Sequence, residues 1–177
     1  MFLQFKLNNF FLKLTYCLII FLIISCAVKK SYKESYFKEE LVLEGNISEA
    51  ILKTHKKTDW FNENYIKYQA DSIIIDSLKQ HLTGINFVIF GGTWCSDTKR
   101  ELPAFLSIIH QLNFGSNQYE IWMLDIKKKS THINPKLFNI QYVPTILILK
   151  EGKEIGRIIE KPMETLELDL LKIISNP

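Results

Sequence analysis

Three kinds of hydrophobic run alternate along the chain. Residues 17–24, Cys-Leu-Ile-Ile-Phe-Leu-Ile-Ile, form one unbroken apolar block near the N-terminus. Shorter apolar runs read as strands buried on both faces: Phe87-Val88-Ile89-Phe90, ended by Gly91-Gly92, then residues 119–124, then Thr145-Ile146-Leu147-Ile148-Leu149. Elsewhere apolar residues recur at the helical period. Ile47, Ala50, Ile51 and Thr54 mark a short helix to about residue 57, opened by a capping-box-like pair, Asn46 and Glu49. Ile74, Ile75, Leu78 and Leu82 mark another, capped by Asp71 and stopped at Thr83-Gly84. Leu102, Phe105, Leu106, Ile109 and Leu112 give a helix over residues 95–112 one buried stripe, and Met163, Leu166, Leu170 and Ile174 do the same for a final helix. Asn134-Pro135 opens a short helix, and Lys150-Glu151-Gly152-Lys153 reads as a hairpin turn into a strand over residues 155–159. The aromatic-rich stretch 60–68 fits neither period cleanly. The order β-α-β-α-β-β-α predicts an α/β domain in which a crossover helix joins parallel strands and an antiparallel hairpin follows. Helices are expected on both faces of one central mixed sheet.

The N-terminal block has the form of an export signal. Lys6 and Lys13 precede it, no charge occurs from Leu14 to Val28, and the run is shorter than the roughly 20 residues that span a bilayer. It ends in Ile23-Ile24-Ser25-Cys26, which resembles a bacterial lipobox, so Cys26 is the expected lipidation site and the first residue of the mature chain. An uncleaved anchor is the alternative. The expected organisation is a signal peptide over residues 1–25, a tether over 26–45, and a folded domain with an N-terminal helical extension over 46–177. The protein would be a membrane-anchored lipoprotein of the cell envelope, facing the periplasm or the cell exterior.

Composition narrows the rest. A chain of 177 residues, 47% hydrophobic and 23% charged, suits one main globular domain. A net charge of +3, from 22 basic and 19 acidic residues, is too small and dispersed to point to a nucleic-acid partner. Three cysteines exclude a disulfide-dense miniprotein and a four-thiolate zinc site. If cleavage falls before Cys26, Cys17 would leave with the signal and Cys26 would carry lipid, so Cys95 would be the single free thiol of the folded part and no disulfide could form within the domain. In an oxidising compartment such a thiol must be buried or used.

The residues around Cys95 favour use. Gly91-Gly92-Thr93-Trp94-Cys95-Ser96-Asp97-Thr98 links a buried strand to a helix and puts Cys95 at the first helical turn. There the unpaired N–H groups and the macrodipole favour a thiolate, the form that attacks disulfides. Lys99 and Arg100 push the same way and Asp97 opposes them. A small apolar filler is the other reading, and a turn flanked by Trp94 and polar residues suits it poorly. His55, His81, His110 and His132 are scattered without ligand spacing, so no metal is expected, and no motif calls for a cofactor. His132 follows Lys127-Lys128-Lys129 in a loop that is either simply solvated or, close to the active site, able to hold an anion such as glutathione.

Trp94-Cys95-Ser96-Asp97-Thr98-Lys99 resembles the Trp-Cys-x-x-Cys-Lys active-site turn of thioredoxins, with Pro103 matching their helix-kinking proline. Tyr142-Val143-Pro144-Thr145 resembles the family's Val-Pro-Thr, and Gly152 and Gly156 also match. The likeness covers about residues 71–174. More narrowly, the lipobox, the turn and Gly-Lys-Glu-Ile-Gly-Arg-Ile-Ile-Glu resemble exported thioredoxin-family lipoproteins of Bacteroidetes. This implies a thioredoxin-like fold, a cis bond before Pro144, and a catalytic set of Cys95, Thr98 and Pro144. Trp94, Val143 and Thr145 would line the substrate groove, with the backbone of Val143 pairing with a substrate chain. Two departures stand out. Thr98 occupies the position of the resolving cysteine, and Ile89 that of the buried acid. The implied activity is therefore monothiol exchange with protein or low-molecular-weight thiols, with a second molecule resolving the mixed disulfide. The rival reading is a non-catalytic binding module for extended peptides or partner proteins, in which Cys95 is vestigial.

Overall fold

The computed structural model describes residues 31–176; the expected signal peptide and Cys26 lie outside the described residues. The first elements correct the expected tether. Strands β1 (Tyr32–Phe37) and β2 (Glu40–Asn46) form an antiparallel hairpin in register from Tyr32 opposite Gly45 to Phe37 opposite Glu40. Its two-residue turn, Lys38-Glu39, has both φ angles positive, at 47° and 67°, as a primed hairpin turn requires. No apolar period announces the hairpin. β1 is an edge strand with nearly every side chain exposed, whereas β2 buries Leu41, Val42 and Leu43 in succession.

Helix α1 (Glu49–Thr54) follows. Its N-cap is Ser48, because Asn46 is still paired in the sheet opposite Trp122, so the capping box does not form. The ambiguous aromatic stretch is helix α2 (Asp59–Lys67), whose Phe61 is fully buried and stacks on Tyr65. Asp71 caps α3 (Ser72–Leu78), accepting from the backbone N–H of Ile73 at 2.8 Å. Then come β3 (Ile85–Gly91), α4 (Ser96–Gln111), β4 (Tyr119–Met123), a 3-10 turn (Pro135–Phe138), β5 (Thr145–Lys150), β6 (Lys153–Ile159) and α5 (Leu166–Ser175). Met163 precedes α5 and is 93% exposed; Thr165 caps the helix ahead of the buried stripe Leu166, Leu170 and Ile174.

The sheet order is β1-β2-β4-β3-β5-β6. β3 and β4 are parallel, β5 is antiparallel to β3, and β6 is antiparallel to β5, which matches the expected parallel pair followed by a hairpin. Phe87 and Ile89 of β3, Ile121 and Met123 of β4, and Ile146 and Ile148 of β5 pack in one cluster with the buried residues of the five α-helices found among the described residues. Phe90 and Leu147, which alternate with them, pack in a second cluster with Leu124, Ile140 and Val143. Among the described residues the expectation of helices on both faces is thus corrected to α1–α5 on one face and a 3-10 turn on the other.

One contact in the helical layer makes the fold sensitive to pH. The Tyr68 hydroxyl donates to the Glu167 carboxylate at 2.5 Å, and Glu167 also accepts from the Asp71 N–H at 3.0 Å. Burial, reinforced by Glu167, pushes the Tyr68 phenol well above its ordinary value of 10.0. A raised folded-state value means that the stabilisation is complete below the unfolded value and is lost as pH climbs through 10 and beyond, because the unfolded chain releases its proton first. Denaturant midpoints measured from pH 8 to 11 should therefore fall above pH 10, and the fall should be shallower in Tyr68→Phe. An identical profile in the variant would contradict the assignment.

Candidate functional site

The site begins where β3 ends. Gly91 and Gly92 are required by close approach. A Cβ on Gly92 would lie 2.7 Å from the Trp94 indole, and one on Gly91 would lie 2.9 Å from Thr98 Cγ2. The Cys95 N–H donates to the Gly92 carbonyl at 2.9 Å, closing the turn, and the Lys99 N–H donates to the Cys95 carbonyl at 3.0 Å, starting the helix. Cys95 is the N-cap of α4, with extended φ and ψ of −92° and 125°. It is half-buried, and it is the free cysteine of the described residues.

Strand β5 brings the second half. The Val143-Pro144 peptide bond is cis, as the resemblance implied. The Cys95 thiol donates to the Val143 carbonyl at 3.2 Å. Val143, Pro144 and Thr145 are buried, and the Thr145 hydroxyl donates to the Tyr142 carbonyl at 2.8 Å, holding the entry into β5. Trp94 packs against the cluster that contains Val143, with its indole N–H donating to the Leu124 carbonyl at 3.0 Å. The fold thus assembles Trp94, Cys95, Val143 and Pro144, which lie 48 residues apart across the thiol contact.

Thr98 is the third residue of α4. It is fully buried, and its hydroxyl oxygen accepts from the Gly92 N–H at 3.2 Å. Among the described residues it makes no hydrogen bond to Cys95, so its part is to brace the turn. Ile89 is fully buried in the main core, where thioredoxins keep an acid.

The charges beside the thiol are also engaged. Lys99 pairs with Glu40 of β2 at 2.8 Å, and hydrogen bonding and attraction from Lys99 hold the Glu40 carboxyl below its usual range. Arg100 pairs with Asp97 at 2.8 Å and Glu101 at 2.6 Å. Both cations expected to act on Cys95, and the acid expected to oppose them, are therefore already partnered. His132 sits 3.8 Å from Glu44 of β2, on the hairpin side. No group of three His, Cys, Asp or Glu side chains among the described residues is placed to hold a metal ion.

Thr93 gave no signal in the sequence. Its buried hydroxyl donates to the Leu41 carbonyl at 2.5 Å and accepts from the Leu43 N–H at 3.1 Å. β2 pairs with β4 only at Gly45 and Asn46, which leaves Leu41 and Leu43 to be satisfied by other means. One hydroxyl bridges the C=O and N–H on either side of Val42 as a residue of a parallel strand would. The turn carrying Cys95 is fastened to the N-terminal hairpin through this side chain.

No protein-family model matches the sequence, and no curated protein matches it. Solved structures do. The chain is similar to a protein of unknown function from Pseudomonas aeruginosa, at 18% identity and a TM-score of 0.53, over 71% of this chain and 89% of that one. It is also similar to an HIV epitope scaffold, at 16% identity and a TM-score of 0.51, over 72% of this chain and 91% of that one. Thioredoxins are among the other matches, as with the Schistosoma mansoni thioredoxin pre-protein at 22% identity and a TM-score of 0.37, over 59% of this chain and 90% of that one. For the first two, at these identities, the likeness is one of fold.

Proposed function

We propose that this chain is a thioredoxin-like protein that carries out thiol-disulfide exchange through one thiol, Cys95, and is held at a membrane of the cell envelope by lipid on Cys26, facing the periplasm or the cell exterior. The observation that carries the reading is the seat of Cys95: a half-exposed thiol at the N-cap of a 16-residue helix, 3.2 Å from the carbonyl that precedes cis-Pro144. In the exchange, the Cys95 sulfur attacks one sulfur of a disulfide. A Cys95 mixed disulfide forms, the other half leaves as a thiolate, and the proton given up by Cys95 ends on that leaving thiol. A second thiol from outside the chain then attacks the mixed disulfide and restores Cys95. Loss of the thiol proton also frees the Val143 carbonyl to accept an N–H from an extended substrate, with the half-buried Trp94 beside it and Thr145 holding the backbone from within.

The test uses the full chain with Cys17 and Cys26 replaced by serine, so that Cys95 is the one thiol present. Incubation with 2-hydroxyethyl disulfide should add one mercaptoethanol unit per chain by mass spectrometry, and Cys95→Ser should abolish the adduct. A chain that forms no adduct and resists alkylation at Cys95 across neutral pH would be the peptide-binding module instead. For the anchor, Cys26→Ala in the otherwise native chain should abolish labelling by radioactive fatty acid; unchanged labelling and membrane retention would refute that assignment.

A further inference from the structure

Resting on the exchange reading, we propose that a lysine-lined groove beside Tyr142 selects a small disulfide bearing carboxylates, of the class of glutathione disulfide, as the substrate of Cys95. The groove encloses about 620 Å³ and is lined by Lys127, Lys128, Lys129, Lys136, Asn134 and Gln141, among others, with no acidic side chain in its wall. That volume lies within the range of about 300–1,000 Å³ typical of small-ligand sites.

The loop is built to present cations. Two acids touch the loop: the Asp125 carboxylate is occupied by the backbone N–H groups of Lys127 at 2.9 Å and Lys129 at 2.8 Å, and Glu44 of β2 by the Thr131 N–H at 2.6 Å and the Thr131 hydroxyl at 2.9 Å. Two further backbone bonds, from the Lys128 N–H to the Asp125 carbonyl and from the Asp125 N–H to the Lys129 carbonyl, close the loop, with Lys128 at a φ of 55°. Lys53, Lys79, Lys99 and Lys172 elsewhere each pair with a carboxylate. Among the described residues, none of the four groove lysines does. Four unneutralised ammonium groups around one concavity repel one another and attract an anion.

The groove adjoins the thiol. The Lys128 ammonium lies 5.6 Å from the centre of the Tyr142 ring, and the next residue, Val143, accepts the Cys95 hydrogen bond at 3.2 Å. Gln141 in the groove wall is two residues from Val143, so their Cα atoms are at most about 7 Å apart. In a peptide of the glutathione class the cysteine is the middle residue, so each terminal carboxylate lies one to two residues, roughly 4–7 Å, along the chain from it, which matches that separation. The reaction remains the balanced exchange given above, with reduced peptide thiol leaving.

The experiment compares the full chain, with Cys17 and Cys26 replaced by serine, with a variant that also carries Lys128→Gln and Lys136→Gln. The second-order rate with glutathione disulfide should fall about tenfold more in the variant than the rate with 2-hydroxyethyl disulfide. Raising salt from 20 to about 300 mM should erase much of that difference in the parent chain. Equal slowing of both disulfides, or no slowing with glutathione disulfide, overturns the proposal. A second arm needs no reaction: S-methylglutathione added to the Cys95→Ser chain should shift the amide resonances of residues 127–129 and 136. Shifts there without adduct formation on the parent chain would refute the exchange reading and uphold the groove; no shifts would refute the groove whatever the thiol does.

Discussion

Thr98→Cys is expected to turn a chain that takes up one mixed disulfide into one that closes an internal disulfide and reduces insulin catalytically. Cys95 is the N-cap and position 98 is N3 of the same helix. An N-cap side chain folds back over the first turn far enough to reach the N–H of N3, so two sulfurs at these positions come within bonding reach. In the native chain that step is absent because the residue at 98 is a threonine, fully buried and bonded to the Gly92 N–H. The substitution has a structural cost. A sulfur is a weak acceptor, and leaving a buried N–H poorly satisfied costs about 1–3 kcal/mol. Thr98→Val separates the two effects, since it loses the acceptor without gaining a thiol. The valine variant should be destabilised by a similar amount and should still form the Cys95 adduct. Counting free thiols after oxidation decides the matter for the cysteine variant. Two thiols remaining free under conditions that give wild-type chains an adduct would rule out the proposed geometry.

The largest stability effect is expected at Thr93. Thr93→Val keeps the shape and removes the hydroxyl that satisfies both the Leu41 carbonyl and the Leu43 N–H, in strand residues that are 2% and 0% exposed. Two buried backbone groups then lack partners, which together costs about 2–5 kcal/mol, a large share of the roughly 5–15 kcal/mol by which a domain of this kind is stable. Urea unfolding should show a correspondingly lower midpoint, and Thr93→Ser should recover most of the loss because the hydroxyl returns. A valine variant within about 0.5 kcal/mol of wild type would mean that the hairpin is not held through this side chain.

These two threonines show where reading from the sequence stops. Both sit in the stretch recognised as an active-site turn, yet their partners, Gly92 for one and Leu41 and Leu43 for the other, follow from how the turn is packed. Thr93 reaches across 52 residues to a hairpin whose edge strand has no apolar pattern. Lys99 and Arg100 were legible as cations beside the thiol, but the carboxylate partner of Lys99 was not, because Glu40 lies on that same unannounced hairpin. The aromatic helix α2 was hidden for a related reason, since only Phe61 is buried and its other aromatic residues lie partly at the surface.

What the sequence determined by itself was whatever depends on local periodicity and on residues close in the chain. The buried strands β3, β4 and β5, the helix after the glycine pair, the Asp71 cap and the place of Cys95 at a helix start all rest on side-chain spacing and on the local needs of backbone N–H groups. Tertiary structure decided whatever depends on long-range pairing. It built the β1–β2 hairpin into the sheet, put helices α1–α5 on one face, and brought Val143 within a hydrogen bond of Cys95. It also gathered four lysines around one groove. Those outcomes are fixed by which surfaces can be buried together and which polar groups must then be satisfied, and neither quantity has a period along the chain.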